Sequence, residues 1–169
     1  MRDAYFAGGC FWCITPVFYE EEGVLDVVAG YSGGDEVNPT YEQVKHQQTG
    51  HRETICISYD ETKIGFERLL QVFLENVDPF DDGGQFIDRG ASYTLAVFAM
   101  NDTEREIVNR AMAELAESSG QKVCITVEPY KNFYPAEEYH QNYFRTHPAE
   151  FAKEMEESGR RAPSGKADR

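Results

Sequence analysis

The chain has 169 residues with 16 basic and 30 acidic side chains, a formal charge of −14 at pH 7 with histidine neutral. That balance argues against a phosphate-binding groove and so against nucleic acid as a partner. No stretch approaches the roughly 20 apolar residues that a membrane-spanning helix needs. The length suits one domain with a proper core, and a hydrophobic content of 41% suits a soluble globular protein.

Taken in order, residues 3–8 read as a first strand, broken by Gly8-Gly9, with a helix starting near Cys10 and covering 12–22 up to Gly23. Ala7-Gly8-Gly9-Cys10 has the outline of a lipoprotein cleavage site, but the apolar segment before it is far shorter than a secretory core. Neither lipidation nor export is expected, and a cytoplasmic location follows. Cysteines at 10, 13, 56 and 124 form no dense disulfide framework, which fits a reducing compartment.

Val24 to Tyr31 mark a second strand, Asn38-Pro39-Thr40-Tyr41 a turn and short helix through Val44, and residues 53–59 a third strand. In that strand Ile55 and Ile57 share one face, and Cys56 and Ser58 the other. Residues 64–76 have the helical spacing of an amphipathic helix. Residues 77–92 form a long irregular segment, and a long loop inside a compact domain points to function.

A strand over 93–100, a helix over 103–118 capped by Asp102-Thr103, a strand over 123–127 and a short helix over 135–144 complete the pattern. The whole reads as α+β: a two-layer sandwich in which helices pack on a mixed sheet. One catalytic domain is expected over 1–157, with a disordered tail over 158–169. Cys56 and Cys124 read as core thiols, and His140 and His147 as residues that cap or line the C-terminal helix.

Cys10 follows two glycines and opens a helix, so its thiol faces unpaired backbone N–H groups and the positive end of the helix dipole, which favour thiolate. A nucleophile of this kind needs a partner that handles protons. Glu53 precedes an apolar strand, where burial would keep it protonated as an acid. Tyr41 and Tyr93 can donate phenolic hydrogen bonds, and Asp88 lies in the long loop. His46, His51 and Glu53 fit no strong metal-ligand spacing, so no metal is expected.

Gly9-Cys10-Phe11-Trp12, Gly30-Tyr31-Ser32-Gly33-Gly34, Asn38-Pro39-Thr40-Tyr41 and Gly50-His51-Arg52-Glu53 together resemble the A-type peptide-methionine sulfoxide reductases. Asp78-Pro79, the run Gly84 to Tyr93, and Tyr139-His140-Gln141-Asn142-Tyr143 continue the likeness in register, from about residue 4 to residue 148. The resemblance implies a fold related to the ferredoxin-like type. It also implies reduction of the S epimer of methionine sulfoxide, free or in proteins, without a bound cofactor. By that likeness Cys10 is the nucleophile that attacks the sulfoxide sulfur. Phe11 and Trp12 hold the substrate methyl group. Glu53 protonates the sulfoxide oxygen with help from Tyr41 and Tyr93, and Asp88 helps organise the site.

The chain departs from its relatives in three places. The C-terminal position where many carry a resolving cysteine holds Ala152, a second such position holds Lys45, and Thr94-Leu95 stands where an arginine is common. Cys13 is then the expected resolving thiol, since a CxxC pair across one helical turn can bridge without large backbone movement. The Cys10–Cys13 disulfide would be reopened by thioredoxin, and the chain is expected to act as a monomer. Two rival readings remain at this level. One is a thioredoxin-like CxxC thiol–disulfide oxidoreductase; the other is a module that merely binds oxidised or apolar peptides through Phe11 and Trp12.

Overall fold

Residues 1–160 are described by a computed structural model, and the fold follows the polarity alternation of its strands. The order is β1 (Arg2–Ala7), α1 (Phe11–Tyr19), β2 (Val24–Ser32), α2 (Tyr41–Lys45), β3 (Arg52–Tyr59) and α3 (Phe66–Glu75). Then come a small hairpin of β4 (Gly84–Gln85) and β5 (Asp88–Arg89), a 3₁₀ turn over Ala91–Tyr93, β6 (Leu95–Ala99), α4 (Asp102–Ser119) and β7 (Ile125–Pro129). The chain closes with β8 (Tyr134–Pro135), a 3₁₀ turn over Glu138–His140, α5 (Tyr143–Thr146) and α6 (Pro148–Ser158).

Six strands form one sheet in the order β7-β6-β1-β3-β2-β8. Only the β6–β7 pair is parallel; the rest are antiparallel, so the sheet is mixed. The stretch β1-α1-β2-β3-α3-β6 is the split βαβ arrangement of ferredoxin-like folds, with one added strand at each edge. This is the α+β sandwich expected from the sequence.

The alternation fixes which residues face the helices. Ala4 and Phe6, Val27, Ala29 and Tyr31, Ile55, Ile57 and Tyr59, and Leu95 and Val97 point to one face and join Ile14, Phe18, Leu69, Phe73 and Val108 in the main core. The opposite face carries Tyr5, Cys56 and Phe98, covered by Phe133, with the Tyr130 ring tilted against that of Tyr5. Glu53 shares the register of Ile55 and Ile57 and is therefore driven into the helix side of the sheet.

Several elements differ from the sequence reading. The first helix ends at Tyr19, because Glu20-Glu21-Glu22 would place like charge at the negative end of the helix dipole. Asn101, rather than Asp102-Thr103, caps α4 by accepting the Glu104 N–H. Cys124 lies just ahead of β7 and is only half-buried, its Sγ donating to the Phe80 carbonyl, so it is no core thiol. The segment expected as one helix over 135–144 divides into β8, the 3₁₀ turn and the start of α5. Gln141 causes the division: its side-chain amide bonds the N–H and C=O of Ala29, standing in for a strand partner on the edge of β2. Helix α6 was not anticipated. The rest of the expected tail, residues 161–169, lies outside the described residues.

The turn after β1 requires glycine for steric reasons. A Cβ on Gly8 would meet Ile14 Cδ1 at 2.4 Å, and Gly9 sits at φ +84° against Gln85. Phe73, fully buried with its ring 5.0 Å from that of Phe6, supports this turn from α3. Phe73→Ala should lower unfolding free energy by about 3–5 kcal/mol, read from the denaturant midpoint.

Candidate active site

The site assembles where β1 hands over to α1. Cys10 occupies the N-cap position of α1 and supplies no side-chain cap. The cap comes from across the sheet: the first helical N–H, that of Phe11, donates to Glu53 Oε1 at 3.1 Å. Glu53 is 2% exposed, and its other oxygen, Oε2, has no hydrogen-bond partner. Burial pushes its pKa up to about 8 and the nearby Asp88 adds to the rise, against the Phe11 N–H, the Tyr93 hydroxyl and Lys45, which lower it. At neutral pH Glu53 is therefore mainly a neutral acid, on the same cavity as the Cys10 thiol.

Glu53 lines a cavity of about 230 Å³ together with Cys10, Trp12, Tyr41, Lys45, Ile87, Asp88, Tyr93 and Glu154. Six of the eight residues named from the sequence thus meet around one small space. Phe11 stands one layer behind, 1% exposed, and backs Trp12 and Tyr41 with ring centroids 6.5 and 6.3 Å away. Cys13, 2% exposed, packs with Cys10 and Met155 below the cavity floor. A larger groove of about 660 Å³ runs between α3 and α4, but its lining, which includes Glu67, Leu70, Leu74 and Glu114, holds no cysteine or histidine.

The expectation that Cys10 is poised as thiolate does not hold. Its pKa is raised well above the usual thiol value, first by the Cys13 thiol beside it, then by burial and by Glu53 and Asp88. Burial and neighbouring acidic groups outweigh a short helix whose first N–H is already taken by Glu53. The Asp88 carboxyl is likewise pushed up by burial, opposed by Arg160 and Lys45, and its Oδ2 has no partner.

Each wall residue is held by a group that the sequence alone did not assign. Trp12 donates its indole N–H to His140 Nδ1 at 3.0 Å and stacks on Tyr143 at 4.0 Å. Burial pulls His140 down to about 4, so it is neutral at physiological pH and Nδ1 is free to accept. His140 therefore orients Trp12 instead of capping a helix. Tyr41 opens α2 under the reciprocal cap of Thr40 and Gln43, and its N–H donates to Glu137, which also takes the Tyr31 hydroxyl at 2.8 Å.

Tyr93 is carried by the turn that Gln47 pins through Ser92, at 2.8 and 2.9 Å. Asp88 sits on the hairpin inside the supposed loop 77–92, whose base Gln85 ties to both the N–H and C=O of Asp78. His46 pairs with Glu42 at the surface, while buried His51 takes the Gly34 N–H and bonds the Glu36 carbonyl. The histidines therefore build no centre with Glu53.

Helix α6 closes the site. Met155 and Phe151 pack on the two cysteines, Glu154 reaches the cavity, and Arg160 donates to the Gly8 carbonyl at 2.9 Å and the Asn76 carbonyl at 3.2 Å. Its signal was present in the sequence: Pro148 at the first turn, Gly159 past the end, and Phe151, Met155 and Ser158 at helical spacing.

A thiol facing a neutral carboxylic acid across an aromatic-walled cavity defines a thiol-based oxidoreductase site suited to an oxygen-bearing substrate. Comparison with known proteins agrees. The family described as "Peptide methionine sulfoxide reductase" matches residues 2–167. A peptide methionine sulfoxide reductase MsrA of Picrophilus torridus is 48% identical over 146 residues, covering 85% of this chain and 82% of its own. The MsrA of Bacillus subtilis is 44% identical over 159 residues, 93% of this chain and 90% of its own. The crystal structure of Mxr1 from Saccharomyces cerevisiae in reduced form superposes with a TM-score of 0.82 at 29% identity, covering 88% of this chain and 86% of that one. The chain belongs to the peptide methionine sulfoxide reductase family, in its A-type branch.

Because the folded pKa of Glu53, about 8, lies above the ordinary 4.5, burying it neutral favours the folded state at low pH. That contribution is lost as pH rises toward and through 8. Glu53→Gln cannot ionise, so its Tm should fall less than that of the unaltered protein as pH rises from about 4.5 to about 8.

Proposed function

We propose that the chain reduces the S epimer of methionine sulfoxide, free or within proteins, with Cys10 as nucleophile and Glu53 as acid. The observation that carries this reading is the unpartnered Oε2 of a buried, neutral Glu53 on the same small cavity as the Cys10 thiol. The Cys10 sulfur attacks the sulfoxide sulfur while Glu53 protonates the oxygen. Glu53 recovers a proton from the Cys10 thiol, and the oxygen ends on Cys10 as sulfenic acid with methionine released. The high thiol pKa suits this order: Cys10 stays protonated until the sulfoxide and Glu53 draw its proton into the reaction.

Tyr41 and Tyr93, both raised by burial and so protonated, offer hydroxyls to the oxygen, and Asp88 sets the field on that side. Trp12, backed by Phe11, holds the methyl group, and its apolar face excludes water. Cys13 then attacks the sulfenic acid and forms the Cys10–Cys13 disulfide, which thioredoxin reduces. Both thiols are buried in one cluster at opposite ends of a single turn, where the Cys13 N–H bonds the Cys10 carbonyl. No bound cofactor enters the cycle. We further propose that the chain works as a cytoplasmic monomer; no described helix is long and apolar enough to cross a membrane.

Separated epimers test the assignment: turnover of the S form with thioredoxin is expected, and activity on the R form alone or on neither would overturn it. Cys10→Ser should abolish turnover, and Glu53→Gln should slow methionine formation by about 10²–10⁴-fold. In the unaltered enzyme the same step should decline as pH rises past the Glu53 pKa of about 8. Cys13→Ser should release one methionine per enzyme and keep a persistent sulfenic acid, so normal thioredoxin-dependent cycling of that variant would exclude Cys13 as the resolving thiol.

A further inference from the structure

Forming the disulfide requires two proton movements beyond those of sulfoxide reduction. Cys13 must lose a proton to become a nucleophile, and the hydroxide leaving Cys10 must gain one. Glu53 and Asp88 line the cavity itself, whereas Cys13 is buried beneath its floor against α6. From that helix Glu154 lines the cavity, and one of its carboxylate oxygens lies with the Cys10 and Cys13 sulfurs in a cluster whose atoms are all within 4.8 Å of one another. The acid–base partner on its own helix is a different pair, Lys153 with Glu157. Met155, the next residue, is buried on the same two cysteines and fixes the helix against them.

We propose that Glu154 is a catalytic residue of the second half-reaction, the base that takes the Cys13 proton and returns it to the oxygen leaving Cys10. The proposal rests on the reading of Cys13 as the resolving thiol. In this step the Cys13 S–H proton passes to the Glu154 carboxylate, and the Cys13 sulfur attacks Cys10 Sγ. The S–S bond forms as the S–O bond breaks. The departing hydroxide takes the proton from Glu154 and leaves as water. The Cys13 sulfur is oxidised, the Cys10 sulfur is reduced from the sulfenic state, and Glu154 ends as it began. One carboxylate oxygen close to both sulfurs can serve both proton transfers.

The surroundings support a base of useful strength. The Glu154 carboxyl is raised first by burial, then by Asp88 on β5 and by Glu157 on α6, against Arg160 and against Lys45 of α2. The thiols of Cys10 and Cys13 face it from α1.

The experiment mixes fully reduced enzyme with one equivalent of S-methionine sulfoxide and no reductant. It follows methionine release, sulfenic acid trapped by a cyclic 1,3-dione, and loss of free thiols. In Glu154→Gln, disulfide formation should slow by about 10²-fold relative to methionine release, with sulfenic acid accumulating in between. Glu154→Asp should recover part of the rate. In the unaltered enzyme the rate of disulfide formation should rise with pH as Glu154 ionises, and Glu154→Gln should lose that dependence.

Disulfide formation at the unaltered rate in Glu154→Gln, or equal slowing of both steps, would overturn the role of Glu154. Cys13→Ser run alongside separates the two readings. If it too forms no lasting sulfenic acid, the resolving role of Cys13 fails; if it does while Glu154→Gln behaves normally, only the present inference fails.

Discussion

The hydrogen bond from the Phe11 N–H to Glu53 joins the fold to the chemistry. It caps a helix whose own N-cap residue, Cys10, contributes no cap, and it ties α1 to the central strand β3. The same bond leaves the second carboxyl oxygen of Glu53 facing the cavity without a partner. A carboxylate would cap the helix more strongly than a carboxylic acid, so burial and capping act in opposite directions on Glu53. Burial prevails, and the group stays protonated at neutral pH. Without β3 beneath it, Cys10 would be a loop thiol beside an unsatisfied helix end.

Around this bond the walls are fixed by neutral hydrogen-bonding groups more than by ion pairs. His140 holds Trp12, Gln47 with Ser92 holds the turn before Tyr93, and Gln85 closes the base of the Asp88 hairpin, while the one charged holder, the Glu137 carboxylate, takes the N–H at the start of α2. Amides and a neutral imidazole can fix geometry in a buried site without adding charge to it. That matters here because Glu53, Asp88 and Glu154 already crowd one cavity, and each has its pKa raised by burial. Lys45 and Arg160 are the cations that oppose the rise at Asp88 and Glu154.

The high pKa of Cys10 also separates this site from a general dithiol exchanger. An enzyme that attacks disulfides at large benefits from a standing thiolate. At Cys10 the neighbouring Cys13 thiol, burial, Glu53 and Asp88 all act against a standing thiolate. Helix α6 adds to this restraint, since Met155 and Phe151 cover the sulfurs and Arg160 straps the helix to the glycine turn.

Local patterns in the sequence were enough for the strands, the glycine turn, the CxxC helix start and the α+β class. Those features depend on period-two and helical spacing and on the φ and steric demands of Gly8 and Gly9, all of which act within a few residues. The likeness of its motifs to a known family also gathered Cys10, Trp12, Tyr41, Glu53, Asp88 and Tyr93 before any contact was known. Tertiary structure alone decided the direction in which the Cys10 thiol is shifted, because that depends on burial and on groups drawn from three separate segments. It also decided the service of His140, Glu137 and Gln141, whose partners lie 128, 106 and 112 residues away in the chain. The closure of the site by α6 belongs to the same class. Its helical signal was legible, but nothing local to residues 148–158 says that their apolar stripe lands on two cysteines near the N-terminus, since only packing brings those surfaces together.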